Sequence, residues 1–547
     1  MSRSHHPVCR QALSLLAMSA WLVCAPAAVA AQASTPATAA LPRELGKPED
    51  DLKLNIRAFQ VDGLPEASAQ ALAALTAPYT GTGKGYEELI NAAAAITLHM
   101  QRNLGYYVGF AYVPEQSPQD GVIRLQALEG RLDQIEVDAG ATPEQRALIE
   151  SQLGDLKPGQ ILRTEDVERA VLLLNDLRGV TVRVEVSEGR QPGTASLRVI
   201  PTAEPTLAGK AELDNLGNRY TGLARLSGAV TLANPLQRGD ALSAQLLSSH
   251  TGGLKQATAG YVTPVGAQGL KLGATASRVL YGLDKDDFPA VYQGSVTALG
   301  AYALYPVVRS RNLNLFGVLS HEYKRFEDHQ ASTRLAKRSH DWQLGLIGDS
   351  RDSWLSGGIN TYELQALQGR MSFGDGANPL GLRKDFSKVT LGYSRLQNLQ
   401  AGRWQLYGRL KVQWASTTLD ASERYAAGGP LGVRAFAPGE AAADDAQVLN
   451  AELRWLPPEA WLGPVARELA FSLFHDWAHV KFSKDAALQP AGVSNTGTLS
   501  ATGLGLIWDR PGDMAFRMDL AWRGAGDALA DPKDHSPRAN LVLTKRF

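Results

Sequence analysis

The side chains of the segment Leu406-Tyr407-Gly408-Arg409-Leu410-Lys411-Val412-Gln413-Trp414 alternate in character with a period of two residues, which indicates a β-strand. Its even positions are apolar or glycine, and its odd positions are tyrosine, arginine, lysine and glutamine. A β-strand places successive side chains on opposite faces, so this segment has one apolar face and one polar face. Such a strand fits a wall that has lipid on one side and water on the other.

The same alternation recurs about sixteen times between residues 207 and 547, and residues 516–523 provide another clear copy. A sheet in hydrocarbon must close on itself, because lipid offers no hydrogen-bond partner to the backbone groups of a free edge. We therefore predict a transmembrane antiparallel β-barrel of about sixteen strands over residues 207–547. The terminal Phe547 is predicted to be the C-terminal signal of this barrel.

The lengths of the connections predict the orientation of the barrel. If the first strand rises from the periplasm, the periplasmic connections are mostly short and the outward ones mostly longer, as is typical of outer-membrane barrels. The predicted short connections are 235–240, 264–268 and 509–513, and the predicted longer ones are 281–292, 326–339, 421–447 and 483–496. The sixth outward loop, 421–447, is too long for an ordinary hairpin and is therefore a candidate functional segment.

The N-terminus has the pattern of a secretory signal peptide over residues 1–30. Arg3 and Arg10 precede an apolar stretch, and small residues follow, with cleavage predicted after Ala30 and residues 31–33 as a rival site. The chain of 547 residues has two cysteines, and both precede residue 30, so the mature protein is predicted to contain neither disulfides nor thiolate sites. Residues 31–53 are rich in alanine, proline and threonine and are predicted to form a flexible lead-in.

Two small α+β units are predicted between the lead-in and the barrel, over residues 54–130 and 131–203. Each has the pattern strand, helix, helix, strand, strand, and in each unit one helical segment carries an apolar stripe at helical spacing. The edge strands of such units can accept an extended polypeptide by β-augmentation, which uses backbone hydrogen bonds rather than particular side chains.

Several motifs, in the correct order and spacing, together resemble the outer-membrane transporters of two-partner secretion, the TpsB family of haemolysin secretion/activation proteins. The motifs are Gly105-Tyr106, Pro114-Glu115-Gln116, Leu128-Glu129-Gly130, Asp214-Asn215-Leu216-Gly217, Gly428-Gly429-Pro430, Val433-Arg434-Ala435-Phe436 and Phe474-His475-Asp476-Trp477-Ala478. The resemblance covers nearly all of the mature chain. It implies that the two α+β units are POTRA domains, which lie in the periplasm and bind the exoprotein.

The resemblance also implies a contact between the long outer loop and the barrel wall. In the family this loop folds back into the pore and its arginine, here Arg434, meets a wall aspartate, here Asp476. The residues implied in this contact are Val433, Arg434, Phe436, Phe474 and Asp476. Independently, the alternation of residues 468–480 places Asp476 toward the lumen, because a carboxylate in lipid is costly. Ala435 and Ala478 replace motif glycines, which puts the backbone of the loop tip in question if φ is positive there.

The function implied is a pore that captures an unfolded exoprotein of haemolysin or adhesin type in the periplasm and passes it through the outer membrane without ATP. Its partners would be that exoprotein, the barrel assembly machinery and outer-membrane lipid. Pro114, Glu115 and Gln116 are candidate contacts to the exoprotein. Two alternatives remain open, an assembly factor that inserts other barrels and, less favoured, a passive porin.

Other function classes receive little support from the sequence. Lys and Arg number 55, as do Asp and Glu, so no excess charge indicates nucleic acid. Residues 80–85 suggest a phosphate-binding loop, but they lack its first glycine and its closing Ser or Thr. We predict no catalysis, no cofactor and no metal site, and we predict that Lys411, Arg517 and Arg523 line the lumen.

Overall fold

The computed structural model describes residues 45–46, 53–117, 120–284, 292–399, 402–489, 492–531 and 533–547. The chain divides into two compact units near residue 204. The predicted signal peptide with its cleavage site at Ala30 lies outside the described residues, as does most of the predicted lead-in.

The N-terminal unit contains two small α+β modules. The elements of the first are β1 (Leu54–Ile56), β2 (Ala58–Asp62), α1 (Ala69–Thr76), β3 (Gly81–Lys84), α2 (Tyr86–Arg102), β4 (Phe110–Tyr112) and β5 (Val122–Leu128). The elements of the second are β6 (Arg131–Val137), α3 (Pro143–Gln152), α4 (Thr164–Asn175), β7 (Val180–Glu188) and β8 (Thr194–Ala203). The segment with a resemblance to a phosphate loop is β3, which pairs with β1.

Each module buries one helical face on a three-stranded sheet. The strand orders are β2-β5-β4 and β6-β8-β7, with one parallel pair in each sheet. In the first module Ile96 and Met100 of α2 are fully buried, and the Glu88 carboxylate accepts a hydrogen bond from the backbone N–H of Gly85 at 2.9 Å. That bond satisfies an otherwise free donor at the start of the helix.

The two modules are joined by backbone and side-chain contacts around Tyr106. The N–H of Tyr107 donates to the carbonyl of Leu162 at 2.8 Å, and the Arg163 guanidinium lies 2.8 Å from the Glu66 carboxylate. The Tyr106 ring is buried beneath Arg163. Burial, together with the nearby Glu66 carboxylate, raises the pKa of Tyr106 to about 12. Tyr106 is thus a packing residue of this junction, and its hydroxyl stays protonated at neutral pH.

The C-terminal unit is a closed barrel of sixteen antiparallel strands, which confirms the predicted fold class. The wall strands are β9 (Leu207–Asp214), β10 (Arg225–Ala233), β11 (Ala241–Ser249), β12 (Leu254–Val265), β13 (Leu270–Gly282), β14 (Tyr292–Arg309), β15 (Leu313–Gln330), β16 (Thr333–Asp352), β17 (Gly358–Phe373), β18 (Asp385–Asn398), β19 (Trp404–Ala415), β22 (Asp445–Trp455), β23 (Leu469–Lys481), β24 (Thr496–Asp509), β25 (Met514–Arg523) and β26 (Arg538–Arg546). Two short strands, β20 (Tyr425–Ala426) and β21 (Ala442–Ala443), lie in the long loop, and α5 (Glu459–Leu462) lies between β22 and β23.

Each wall strand pairs with its sequence neighbours, and β26 closes the barrel on β9. The closing pair extends from Val542 opposite Asp214 to Arg546 opposite Lys210. Beyond it, Phe547 and Gly209 exchange two backbone hydrogen bonds, of 2.9 and 3.0 Å. A side chain at Gly209 would meet the exposed Phe547 ring at 2.4 Å, so a larger residue there would displace that ring.

Side-chain exposure follows the predicted alternation. On β19, Leu406 and Trp414 are 47% and 46% exposed on the outer face, whereas Gln413 is 3% exposed. On β23, Phe471 and Leu473 face outward and Asp476 is buried inside, as predicted. No helix among the described residues is long and apolar enough to cross a membrane.

One predicted outer loop is wrong. Residues 326–339 are mostly strand, because β15 continues to Gln330 and β16 begins at Thr333, with Ala331 at φ 52° in the turn. The hairpin carries many charged side chains, a composition that is typical of loops. Backbone hydrogen bonds between its two strands nevertheless hold these residues in strand geometry, whether lipid or water surrounds the side chains.

Candidate functional site

The long loop between β19 and β22 covers residues 416–444 and folds into the barrel. Its strands β20 and β21 pair with each other and bring the two ends of the segment 427–441 together. Val433 and Phe436 are fully buried against inward-facing wall residues, which include Phe474 and Ala478 of β23. We call residues 416–424 the loop stem and residues 427–441 the loop tip.

Glycines shape the loop tip. The N–H of Val433 donates to the carbonyl of Ala427 at 2.9 Å, and the N–H of Gly429 donates to the carbonyl of Val433 at 3.2 Å. A Cβ on Gly432 would meet the oxygen of Ala427 at 1.9 Å, and Gly429 has a φ of 104°. The tight turn therefore needs both glycines, and it directs the next residue, Arg434, toward the wall.

Arg434 is held by the wall aspartate on one side of its guanidinium. Its Nε and Nη2 donate to the two oxygens of Asp476 at 2.8 and 2.7 Å, and its backbone N–H donates to Asp476 Oδ2 at 3.1 Å. Arg434 is 3% exposed and Asp476 is 0% exposed. The Arg434 guanidinium carbon also lies 3.4 Å from the centre of the Phe474 ring. Paired, bidentate and stacked contacts of this kind are the strongest that an arginine makes.

A wider charge network surrounds this pair, and three more strands contribute to it. Arg434 Nη1 donates to Glu452 at 2.7 Å, and Glu452 also accepts from Arg454 at 2.7 Å and from Arg517 at 3.0 Å. Arg517 in turn donates to Asp519 at 2.8 Å. Three arginines thus balance three carboxylates (Asp476, Glu452 and Asp519), so the network carries no net charge in a water-poor setting.

Two asparagines complete the network. Asn450 Nδ2 lies 2.8 Å from both the Gly432 carbonyl and Asp476 Oδ1, and Asn540 Nδ2 donates to the Arg434 carbonyl at 3.0 Å. Glu452, Arg454, Asp519 and these asparagines are not among the site residues predicted from the sequence. The alternation of β22, β25 and β26 places these side chains on the lumen side, which is the one indication that the sequence offers. Many other lumen residues share that position.

The loop stem makes a second attachment, on the β15, β16 and β18 part of the wall. The Glu423 carboxylate lies 2.9 Å from Lys324 Nζ and 2.8 Å from Lys388 Nζ, and it is 3% exposed. Asp420 lies 2.6 Å from Lys337 Nζ. The loop is consequently fixed to two different parts of the wall.

The two alanines that replace motif glycines cause no strain. Neither Ala435 nor Ala478 has a positive φ, and Ala478 is an ordinary strand residue opposite Val448. The question raised by these departures is therefore resolved, because alanine fits the backbone at both positions. Both are fully buried, so a small side chain suits the packing there.

The remaining predicted site residues lie in the first α+β module. Gln116 donates to the Arg124 carbonyl at 2.8 Å and accepts from the Arg124 N–H at 2.8 Å. Its side-chain amide therefore occupies backbone groups of β5 that a neighbouring strand would otherwise bind. Pro114 is half-buried and Glu115 is exposed. Gln116 thus has a structural contact, whereas Glu115 is accessible.

Comparison with known sequences relates this site to a family. Residues 193–504 match the sequence model of the haemolysin secretion/activation proteins ShlB/FhaC/HecB, and residues 54–130 match the ShlB-type POTRA domain. The chain belongs to this family. As a member, it is an outer-membrane transporter that secretes a partner exoprotein, and its POTRA domain lies in the periplasm.

Individual relatives of the ShlB/FhaC/HecB family agree over most of the chain. The heme/hemopexin transporter protein HuxB of Haemophilus influenzae strain 86-028NP is 25% identical over 495 residues, which cover 89% of this chain and 86% of HuxB. The outer membrane transporter CdiB of Dickeya dadantii is 25% identical over 427 residues, or 74% of this chain and 73% of that protein. The solved structure of CdiB from Escherichia coli shares the fold, with a TM-score of 0.70 at 18% identity and 93% of each chain covered.

Proposed function

We propose that this transporter passes one unfolded exoprotein of haemolysin or adhesin type through its lumen, and that Arg434 latches the long loop inside that lumen. The observation that carries the proposal is the Arg434–Asp476 pair, which is buried and joined by three hydrogen bonds. A loop held this firmly fixes the shape of the path that the exoprotein follows. Transport of this kind involves no chemical step, so the proposal requires no cofactor, metal or nucleotide.

The periplasmic modules are proposed to bind the exoprotein in extended form, with residues 131–203 as a second POTRA domain. In each module a side-chain amide pairs with the backbone of one strand. Gln116 pairs with Arg124 of β5, and Asn175 makes two hydrogen bonds to the backbone of Val182 of β7, of 2.7 and 3.2 Å. The outer edge of β7 from residue 184 to residue 188 has no backbone partner among the described residues. We propose this edge as the place where an extended segment adds as a strand, and Pro114 and Glu115 as a separate contact to the exoprotein on the first module.

The barrel assembly machinery is the proposed partner for insertion, and lipid surrounds the outer face. That face carries large exposed apolar side chains on strands all around the wall, such as Leu246 of β11, Leu344 of β16 and Leu473 of β23 at 64%, 65% and 53%. Apolar area of this size is stable only when hydrocarbon covers it.

The proposal is tested with Arg434→Ala in the full-length protein. We expect secretion of the exoprotein to fall at least about tenfold, because the three carboxylates then face only two arginines and the loop detaches. Insertion, measured by heat-modifiable gel mobility, should persist because the wall strands do not depend on the loop for their backbone pairing. Arg467→Ala, which removes an exposed pair with Glu459, is the matched control and should secrete normally. Normal secretion by Arg434→Ala would refute the latch.

A further inference from the structure

The outer face of the β15–β16 hairpin changes from apolar to aromatic to cationic along its length. Leu319 and Leu344 are 49% and 65% exposed and pair directly with each other. The next rows carry four rings, of which His321 and Trp342 have centres 4.6 Å apart and Tyr323 and His340 have centres 4.9 Å apart. Aromatic girdles of outer-membrane barrels mark the level where hydrocarbon gives way to headgroups.

One row beyond these rings, Arg325 lies directly opposite Arg338. Their neighbours Lys324, Lys337 and Ser339 face the lumen, so both arginines point outward. Like charges directly opposite each other on one sheet face destabilise the pairing unless an anion lies between them. The position therefore calls for negative charge close to both guanidinium groups.

The protein supplies only part of that counter-charge. Glu327 lies 2.5 Å from Arg325 and 3.0 Å from Arg334, so one carboxylate serves two guanidinium groups. Arg338 has no ion pair among the described residues. Three arginines against one carboxylate leave an excess of two positive charges at headgroup level.

We propose that this surface, formed by Arg325, Arg334 and Arg338, binds the phosphorylated headgroup of an outer-leaflet lipid. Guanidinium groups match the oxygens of a phosphate in bidentate geometry and remain charged at any physiological pH. The rings of Tyr323 and His340 border the same lipid where its acyl chains begin. The ligand is a membrane lipid rather than a free anion, because the site opens sideways toward the bilayer and continues into the apolar face.

The test uses the full-length protein in detergent, with lipid A as the probe and binding read by native mass spectrometry. We expect Arg325→Gln/Arg338→Gln to weaken binding at least about tenfold, because two charge-assisted contacts are lost. Arg370→Gln is the matched control, since Arg370 is exposed on the neighbouring strand β17 but already paired with Asp385 at 2.8 Å. This control should bind lipid A as the unmodified protein does. Dephosphorylated lipid A should bind neither the unmodified protein nor the control.

Several results would overturn the proposal. Equal binding of lipid A by the double variant, or equal loss in Arg370→Gln, would show that the arginine pair is not the site. If dephosphorylated lipid A bound as well as lipid A, a lipid phosphate would not be the ligand. The same would follow if millimolar inorganic phosphate alone displaced lipid A. If the double variant lacks heat-modifiable mobility, Arg338→Gln and Arg338→Lys replace it, and only the first should lose the probe.

Discussion

The loop tip and the loop stem belong to one segment, yet they are attached to the barrel by different chemistry. At the tip, Arg434 is 4% exposed at its side chain and makes fixed, bidentate contacts within a neutral network. At the stem, Glu423 is held by Lys324 and Lys388, and the Lys324 side chain is 20% exposed. An ammonium group is a compact, strongly hydrated charge on a flexible chain, whereas a guanidinium group imposes planar geometry.

The two kinds of contact differ in how strongly they set the position of the loop. A dry, bidentate and charge-balanced contact is lost almost entirely when one member is changed, because the remaining charges stay buried. A lysine contact near water is replaced more easily, since Lys324 keeps its bond to Asp341 at 2.9 Å when Glu423 is absent. The tip therefore locates the loop and the stem adds support.

The largest effect is expected from Glu452→Gln, which removes the carboxylate shared by Arg434, Arg454 and Arg517. Three arginines would then face two carboxylates, at a cost of about 3–5 kcal/mol. We expect the loop to leave the lumen for a large fraction of the time, and single-channel conductance in planar bilayers should rise. Unchanged conductance would mean that the network does not hold the loop.

A smaller effect is expected from Arg434→Lys, which retains the charge but not the geometry. One ammonium group cannot replace the Nε and Nη2 bonds to Asp476 together with the Nη1 bond to Glu452. The loss should be about 2–4 kcal/mol, so secretion should fall clearly but less than in Arg434→Ala. Full secretion with lysine would show that charge alone suffices at the tip.

The smallest of the three effects is expected from Glu423→Gln, the same substitution as Glu452→Gln but at the stem. It removes the ion pairs to Lys324 and Lys388, at a cost of about 1–3 kcal/mol. Conductance should therefore rise less than in Glu452→Gln when both variants are recorded under the same salt. A larger rise at the stem than at the tip would reverse the order of the two attachments.

The sequence predicts the barrel well because each wall strand repeats the same two-residue period, and the closed sheet follows from the chemistry of hydrocarbon. Parity also places Asp476 in the lumen without any structure. The two-residue alternation does not show which inward-facing charged side chains form ion pairs. Those contacts depend on the stagger of the strands and on the path of the loop. Arg517 was predicted only as a lumen-lining charge, and its contacts to Glu452 and Asp519 could not be derived from its position.

The hairpin at residues 326–339 shows the opposite limit. Composition describes the surroundings of a segment more than its backbone. The charged residues 326–339 therefore predict a loop, although the β15–β16 ladder continues through most of them. Gln116 is a similar case, because an amide that pairs with a backbone cannot be distinguished in sequence from an amide that is free to bind a partner.

The joining of β26 to β9 has a consequence for folding. Glu212 of β9 and Thr544 of β26 lie 332 residues apart, whereas every other wall pair joins strands that follow each other in chain order around the barrel. Closure is then the step with the longest separation along the chain, and such steps are slow. Loss of β26 would leave β25 and β9 as two exposed strand edges, so this strand is as important to the wall as any in its middle.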